Sequence, residues 1–148
     1  MTTDDPLALD HFLCFAVYSV SHAFTRVYKP LLDRLGLTYT QYLAMAVLWE
    51  RDDQTVGSIG ERLHLESSTL TPLLKRLEQS GYVARARDPA DERQVRLSLT
   101  ASGRSLKAKA AHIPACILKA TGLSLRELSC VKADLEKLRH ALECYEGK

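Results

Sequence analysis

Residues 56–99, VGSIGERLHLESSTLTPLLKRLEQSGYVARARDPADERQVRLSL, decide the fold, because the spacing of their apolar residues changes partway along the stretch. Spacings of three and four residues predict two short helices, Val56–Leu63 and Ser67–Gln79, joined by a tight turn. Gly81 then stands just past the second helix, where a left-handed residue commonly ends a helix. This arrangement is typical of a helix-turn-helix.

After Gly81 the period falls from 3.6 residues to two. Residues 82–87 and 94–99 are predicted strands, and the charged, turn-forming residues 88–93 between them predict a hairpin with a polar tip. A helix-turn-helix places its second helix in the major groove of DNA, and a hairpin after it can reach the neighbouring minor groove. The sequence therefore predicts a winged helix-turn-helix.

Helices are predicted on both sides of this core. Residues 10–28 form a long amphipathic helix that Pro30 disrupts or kinks, and Thr40 is the predicted N-cap of an apolar core helix that runs to about residue 51. Beyond the hairpin, Thr100 caps a helix to about residue 120 that Pro114 should bend. A capping box at residues 124–127 opens the last helix. The fold class is mainly α with a small β-hairpin wing.

Composition limits the class of protein. The chain has 148 residues, of which 46% are hydrophobic, so we expect a single domain over residues 1–148. No run of eighteen apolar residues occurs, and the acidic N-terminus is unlike a signal peptide, so we expect a cytoplasmic protein with no membrane partner. The four cysteines include no CxxC pair, which argues against a zinc ribbon or a disulfide framework.

The positive charge of the chain is local. The formal net charge is only +2, but residues 67–87 carry four basic side chains against one acidic side chain. Short hydroxyls and basic groups can reach base edges and phosphates, and an arginine at a hairpin tip can enter a narrow minor groove. The predicted DNA-binding residues are Ser67, Ser68, Thr69, Thr71, Pro72, Lys75, Arg76, Arg87, Asp91 and Arg93. The alternative is that residues 67–71 only cap the helix and that Arg93 pairs with Asp91 in solvent.

The stretch HLESSTLTPLLKRLEQSGYVARARDPADERQVRLSLTASG, residues 64–103, resembles the winged helix of the MarR family, including its D-x-R wing at Asp91 and Arg93. LCFAVYS at 13–19, YKPLLDRLGLTYTQYLAMAVLWE at 28–50 and LTPLLKRLE at 70–78 are similar to its organic-hydroperoxide repressor branch, OhrR. The resemblance implies a homodimer built from helices in about 10–35 and 101–146, with a DNA-binding region at about 53–100. It also implies a repressor of a pseudo-palindromic double-stranded operator that is released on oxidation.

Cys14 is the predicted peroxide-reactive thiol, a role that the resemblance implies. A thiol reacts as the thiolate, which phenol donors such as Tyr18, Tyr28 and Tyr39 can stabilise. Tyr18 shares a helical face with Cys14, whereas fourteen helical residues, about 21 Å, separate Cys14 from Tyr28. If Tyr28 contacts a Cys14, that cysteine therefore belongs to the partner. In the OhrR branch the tyrosines that match Tyr28 and Tyr39 do reach the cysteine across the dimer.

The resemblance also implies a second, resolving thiol from the partner, at a position that aligns with Lys119. Cys116, one turn earlier, is our first choice and Cys130 the second, whereas Cys144 is the least favoured. This mismatch leaves a one-cysteine mechanism open, in which a small cellular thiol or over-oxidation completes the switch.

Other functions remain as alternatives. A MarR-type repressor relieved by a non-covalent lipophilic or phenolic ligand would need no reactive cysteine. A thiol peroxidase would use Cys14 but not a winged helix, and a structural DNA-coating protein would ignore both operator sequence and oxidant. The His–Cys pairs at 11/14 and 112/116 are only pairs, so we expect no metal site. We also expect no cofactor and no enzyme activity.

Overall fold

A computed structural model describes residues 5–145. The chain divides into two compact units, the first ending at Ala111 and the second beginning at His112. After a 3-10 turn at Leu9–His11, the first unit contains α1 (Leu13–Asp33), α2 (Tyr39–Glu50), β1 (Gln54–Thr55), α3 (Val56–Leu63), α4 (Ser67–Gln79), β2 (Val83–Arg87), β3 (Val95–Leu99) and α5 (Ala101–Ala110). The second unit contains α6 (Ile113–Thr121) and α7 (Leu125–Glu143). Within residues 5–145, no helix is long and apolar enough to cross a membrane.

The predicted helix-turn-helix is confirmed, with both helices at the expected residues. Thr55 caps α3 by accepting a hydrogen bond from Ser58 N at 3.1 Å. At the other end, His64 adopts a left-handed conformation and Leu65 N donates to the Gly60 carbonyl at 3.0 Å. A Cβ on Gly60 would lie 2.8 Å from the Leu65 carbonyl oxygen, so glycine there permits the tight turn between the helices.

The predicted hairpin is also confirmed and belongs to a three-stranded antiparallel sheet of order β1-β3-β2. The register pairs Val83 with Leu99 and Arg87 with Val95, which places residues 88–94 at the tip. The third strand, β1, was not predicted. It has only two residues, too few for a period to be visible in the sequence.

The core of the first unit lies between α4 and its neighbours. The apolar residues of α4 are buried on one face, and α4 contacts α2, α3 and β2. The buried side chains with less than 2% exposure in this unit are Leu32, Met45, Leu48, Ile59, Leu70, Leu74, Leu77 and Leu97. Burial of side chains of this size contributes about 1.5–3 kcal/mol each. This packing holds the helix-turn-helix and the hairpin together.

Two features of the first helices differ from the prediction. Pro30 neither ends nor interrupts α1, which continues to Asp33. Pro30 is exposed, so water can satisfy the carbonyl that loses its helical donor. The N-cap of α2 is Thr38 rather than Thr40: Thr38 Oγ1 accepts from Gln41 N at 3.3 Å, and Gln41 Oε1 accepts from Thr38 N at 2.9 Å.

The helix predicted after Thr100 is two helices, because α5 ends at Ala110 and α6 begins at Ile113. Pro114 falls in the first turn of α6, where its missing N–H has no helical partner to lose. The predicted capping box of α7 is confirmed: Ser124 Oγ accepts from Glu127 N at 3.2 Å, and Glu127 accepts from Ser124 N at 2.8 Å. Hydrogen bonds to the Glu127 carboxyl, first from the backbone N–H of Ser124 and second from its side chain, lower the pKa of Glu127.

A close contact joins the start of α5 to the start of β2. Thr100 N donates to the Tyr82 carbonyl at 3.1 Å, and Thr100 Oγ1 donates to the Gly81 carbonyl at 2.6 Å. Thr100 Oγ1 also accepts from Gly103 N at 3.1 Å, which caps α5. A Cβ on Gly103 would overlap the Tyr82 carbonyl oxygen. Only glycine therefore fits this position without a backbone shift.

We expect Gly103→Ala to destabilise the protein by about 1–3 kcal/mol, because the added methyl group forces the backbone at Tyr82 to move. Urea unfolding followed by circular dichroism measures the change. Gly57→Ala is the matched control, since a Cβ there would meet only Thr55 Oγ1 at 3.9 Å. Equal unfolding midpoints for the two variants would contradict the close-contact argument.

Candidate nucleic-acid interface and thiol site

The face of α4 opposite its leucines carries the predicted DNA-binding side chains. Thr71 is half-buried, and the other six are exposed: Ser67, Ser68, Thr69, Pro72, Lys75 and Arg76. Glu66 is the N-cap of α4, and its side chain makes no capping hydrogen bond. Residues 67–71 therefore lie inside the helix and are not its N-cap. Hydroxyl and basic groups on one helical face can contact base edges and phosphates.

The tip of the hairpin presents an arginine to solvent. The side chain of Arg93 is 92% exposed, and its Nε donates to Asp91 Oδ1 at 3.2 Å. Asp91 Oδ1 also accepts from Arg93 N at 3.1 Å, and Arg87 Nη1 donates to the Glu92 carbonyl at 2.8 Å. An exposed ion pair of this kind contributes about 0–1 kcal/mol, so Arg93 can exchange Asp91 for a phosphate at little loss.

Arg96 on β3 supports the base of the hairpin and was missed in the sequence. Its Nε donates to Asp53 Oδ1 at 2.9 Å, and its Nη1 donates to Asp88 Oδ2 at 3.0 Å. Hydrogen bonds from Ala90 N and from Arg96 lower the pKa of the Asp88 carboxyl. Asp53 lies 43 residues away in sequence, so no local pattern could have revealed this bridge.

Cys14 is the second residue of α1 and is exposed. Exposed apolar side chains surround it in the sequence, among them Leu13 and Phe15. The Tyr18 ring, one turn further along, lies with its centroid 6.5 Å from that of Phe15 and 4.3 Å from that of His22. Cys116, Cys130 and Cys144 are exposed free thiols in the second unit.

The other two predicted phenols lie together. The ring centroid of Tyr28 on α1 is 4.7 Å from that of Tyr39 and 5.8 Å from that of Tyr42, both on α2. Burial, with smaller contributions from Tyr39 and Tyr42, raises the pKa of Tyr28 to about 12. Burial also raises the pKa of Tyr39. Both phenols therefore keep their protons at neutral pH and can donate hydrogen bonds.

Cys14 and the pair Tyr28–Tyr39 are not brought together within one chain. Cys14 and Tyr28 belong to the same continuous helix, α1, so about 21 Å of helix separates them. Among the predicted phenols, only Tyr18 is within one turn of Cys14. Tyr42 was not predicted as part of this group, although its position one turn after Tyr39 was a visible signal.

No metal site accompanies these residues in the part of the chain that the structure describes. Within residues 5–145, no group of three or more His, Cys, Asp or Glu side chains is placed to hold a metal ion.

A helix-turn-helix with an outward hydroxyl and basic face, followed by a hairpin tipped with arginine, defines a winged-helix protein of the DNA-binding class. Similarity to known proteins identifies the family within this class. Residues 26–110 match the model of a family described as "Transcriptional regulator SarA/Rot". The chain belongs to the MarR family of winged-helix transcriptional regulators.

The chain is similar to three known proteins over most of its length. It is 51% identical to the HTH-type transcriptional regulator TtmR of Methylorubrum extorquens (strain PA1), over 97% of this chain and 74% of TtmR. It is 47% identical to the organic hydroperoxide resistance transcriptional regulator of Bacillus subtilis (strain 168), over 93% of this chain and 94% of that protein. DNA-bound reduced AbfR superimposes with a TM-score of 0.76 at 42% identity, covering 88% of this chain and 91% of AbfR.

AbfR, from Staphylococcus epidermidis, has also been solved in an overoxidised, DNA-bound form and in a disulfide form. The relatives are named transcriptional regulators, which confirms the prediction of a regulator rather than an enzyme.

We expect Arg93→Ala to weaken DNA binding and to reduce the salt dependence of the association constant by roughly one unit of slope, because one phosphate contact is lost. Fluorescence anisotropy with labelled duplex over a range of salt concentrations measures both quantities. Lys137→Ala removes the same charge from α7, where no DNA contact is predicted, and should bind as the unchanged protein does. If the two variants have the same affinity and slope, Arg93 is not in the interface.

Proposed function

We propose that this regulator is a redox-sensing repressor that binds operator DNA as a homodimer and releases it when an organic hydroperoxide oxidises Cys14. One observation supports it most: the exposed thiol at the start of α1 lies about 21 Å along the helix from a pair of protonated phenols. A second copy of the chain can bring its own phenols to that thiol. Oxidation would then act on the arrangement of the subunits directly.

The DNA-binding part of the proposal rests on α4 and the hairpin. The outward side chains of α4 would read the major groove, and Arg93 would enter or border the adjacent minor groove. In a two-fold symmetric dimer, the two α4 helices would lie about one helical turn of DNA apart, roughly 34–36 Å, on a pseudo-palindromic double-stranded operator.

The dimer part rests on exposed apolar side chains in each unit. In α1 these are Leu13, Phe15, Val17, Tyr18, Val20, Phe24 and Val27, and in α7 they are Leu125, Val131, Leu135 and Leu142. Exposed apolar surface of this kind commonly marks a protein interface. We propose that the helices within residues 10–35 and 101–146 carry the dimer contacts, and that residues 53–100 form the DNA-binding region.

The chemistry requires a thiolate at Cys14. The thiolate attacks the O–O bond of the hydroperoxide, so that the thiol becomes a sulfenic acid and the peroxide is reduced to an alcohol. Phenol donors from Tyr18 of the same chain and from Tyr28 and Tyr39 of the second copy would favour the anion. The apolar surroundings of Cys14 would favour organic hydroperoxides over hydrogen peroxide.

A second thiol then condenses with the sulfenic acid to give a disulfide and water. We propose Cys116 first, because it lies one turn before Lys119, the position that aligns with the resolving thiol of the OhrR branch, and Cys130 second; both thiols are free and exposed. The Bacillus relative carries organic hydroperoxide resistance in its name, and AbfR has been solved in reduced, overoxidised and disulfide forms. These relatives support a cysteine switch of either the one-cysteine or the two-cysteine kind.

We expect Cys14→Ser to bind operator DNA as the unchanged protein does but to remain bound when cumene hydroperoxide is added. Anisotropy before and after the oxidant, and again after dithiothreitol, measures release and its reversal. Cys144→Ser is the matched control, because it removes another exposed thiol and should still respond. Release that persists in Cys14→Ser would overturn the redox proposal and favour relief by a non-covalent ligand.

We expect oxidation to produce a covalent dimer on non-reducing electrophoresis, and this dimer should disappear in Cys116→Ser if Cys116 is the resolving thiol. Cys130→Ser and Cys144→Ser serve as parallel controls that should still form the dimer. Loss of the dimer only in Cys130→Ser would exclude Cys116. If every variant and the unchanged protein remain monomeric on the gel while mass spectrometry shows that Cys14 is oxidised, the one-cysteine mechanism applies.

A further inference from the structure

The row of aromatic rings that contains Tyr28 and Tyr39 extends beyond these two phenols. The centroid of Tyr42 lies 5.8 Å from that of Tyr28, and that of Trp49 lies 6.2 Å from that of Tyr42. Rings at these separations contact each other favourably. The row thus runs from α1 across Tyr42 to Trp49, in the last turn of α2.

Trp49 is held by α5 at both its side chain and its backbone. The indole Nε1 donates to the Gly103 carbonyl at 2.9 Å, across 54 residues of sequence. Lys107 Nζ donates to the Trp49 carbonyl at 3.2 Å. Trp49 is half-buried, and the bond from its N–H holds the indole ring against α5.

Gly103, in α5, lies against the junction between α4 and β2. Its N–H is bonded to Thr100, which is itself bonded to the carbonyls of Gly81 and Tyr82 between α4 and β2. The missing side chain of Gly103 permits the contact with Tyr82 described above. A displacement of Gly103 must therefore move the end of α4, the start of β2, or both.

We infer that Trp49 is a positioning residue that couples the tyrosine cluster to the DNA-binding elements. Movement of Tyr28 and Tyr39 passes through Tyr42 to the indole, and the indole N–H passes it to Gly103 and the hairpin. The inference rests on the proposed function, because it needs oxidation of Cys14 to disturb these phenols. Measurement of operator affinity in the reduced and oxidised states tests this coupling.

The chain contains a single tryptophan, which makes a clean test possible. Biosynthetic replacement of tryptophan by benzothienylalanine changes residue 49 alone and replaces its N–H by sulfur while keeping the ring system. The measured quantity is the ratio of the operator Kd of oxidised protein to that of reduced protein. Intrinsic fluorescence of the unsubstituted protein reports on Trp49 during oxidation.

We expect the substituted protein, when reduced, to bind operator as the unchanged protein does. Its Kd ratio should fall by at least about fivefold, the lower end of typical coupling between sites. Mass spectrometry should show Cys14 oxidised in both proteins. The emission of Trp49 should change on oxidation of the unsubstituted protein and stay constant in Cys14→Ser. Trp49→Phe, which also removes the N–H, should behave like the benzothienylalanine protein.

Tyr82→Phe is the matched control, because it removes another side-chain bond to a backbone carbonyl, from Tyr82 Oη to Leu35 at 3.3 Å, and should keep the full ratio. An unchanged ratio in the substituted protein, or unchanged Trp49 emission while oxidation releases DNA, overturns the inference and leaves the proposed function intact. If the substitution raises the Kd of the oxidised and the reduced protein by the same factor, it has only lowered stability, and this result also overturns the inference. Oxidation that fails to release the unsubstituted protein overturns the proposed function and this inference with it.

Discussion

Burial of four leucines on one face of α4 determines the orientation of the recognition helix. Leu70, Leu73, Leu74 and Leu77 are all buried, and the helix contacts α2, α3 and β2. Because each helical residue advances about 100°, a slip of one position would turn Lys75 toward the core and expose leucine. The same packing that stabilises the first unit therefore sets which side chains of α4 face outward. The position of the hairpin follows, because β2 packs against the same helix.

The sequence predicted the elements whose signals are local. Helices α3 and α4 and the hairpin appeared at the expected residues because apolar period, turn residues and caps all lie within a few positions of one another. The two-residue strand β1 and the bridge from Arg96 to Asp53 could not be predicted, since both depend on segments far apart in the chain. The helix bounds near the two prolines were predicted less well, because the effect of a proline depends on its exposure and on its position within a helical turn: α1 continues past Pro30 to Asp33, and Pro114 lies in the first turn of a separate helix.

The candidate thiol site was also predicted only in part from the sequence. Spacing alone placed Tyr18 beside Cys14 and excluded Tyr28 from its own Cys14. The resemblance implied that Tyr28 and Tyr39 reach the same cysteine across the dimer, and the structure adds that their rings are in contact between α1 and α2. Tyr42 and Trp49 were missed because an aromatic ring in an apolar helix is ordinarily a core residue. The ring contact between Tyr28 and Tyr42 and the indole bond to Gly103 join different elements, so no local pattern indicated them.

The apolar face of α1 has a consequence for the protein as it is made. Within residues 5–145, the apolar side chains on this face remain between 37% and 62% exposed. A single copy of the chain therefore presents these side chains to chaperones and proteases until another molecule covers them. The abundance of the regulator in a cell should then rise more than proportionally with its rate of synthesis, because the fraction of uncovered chains falls as their concentration increases.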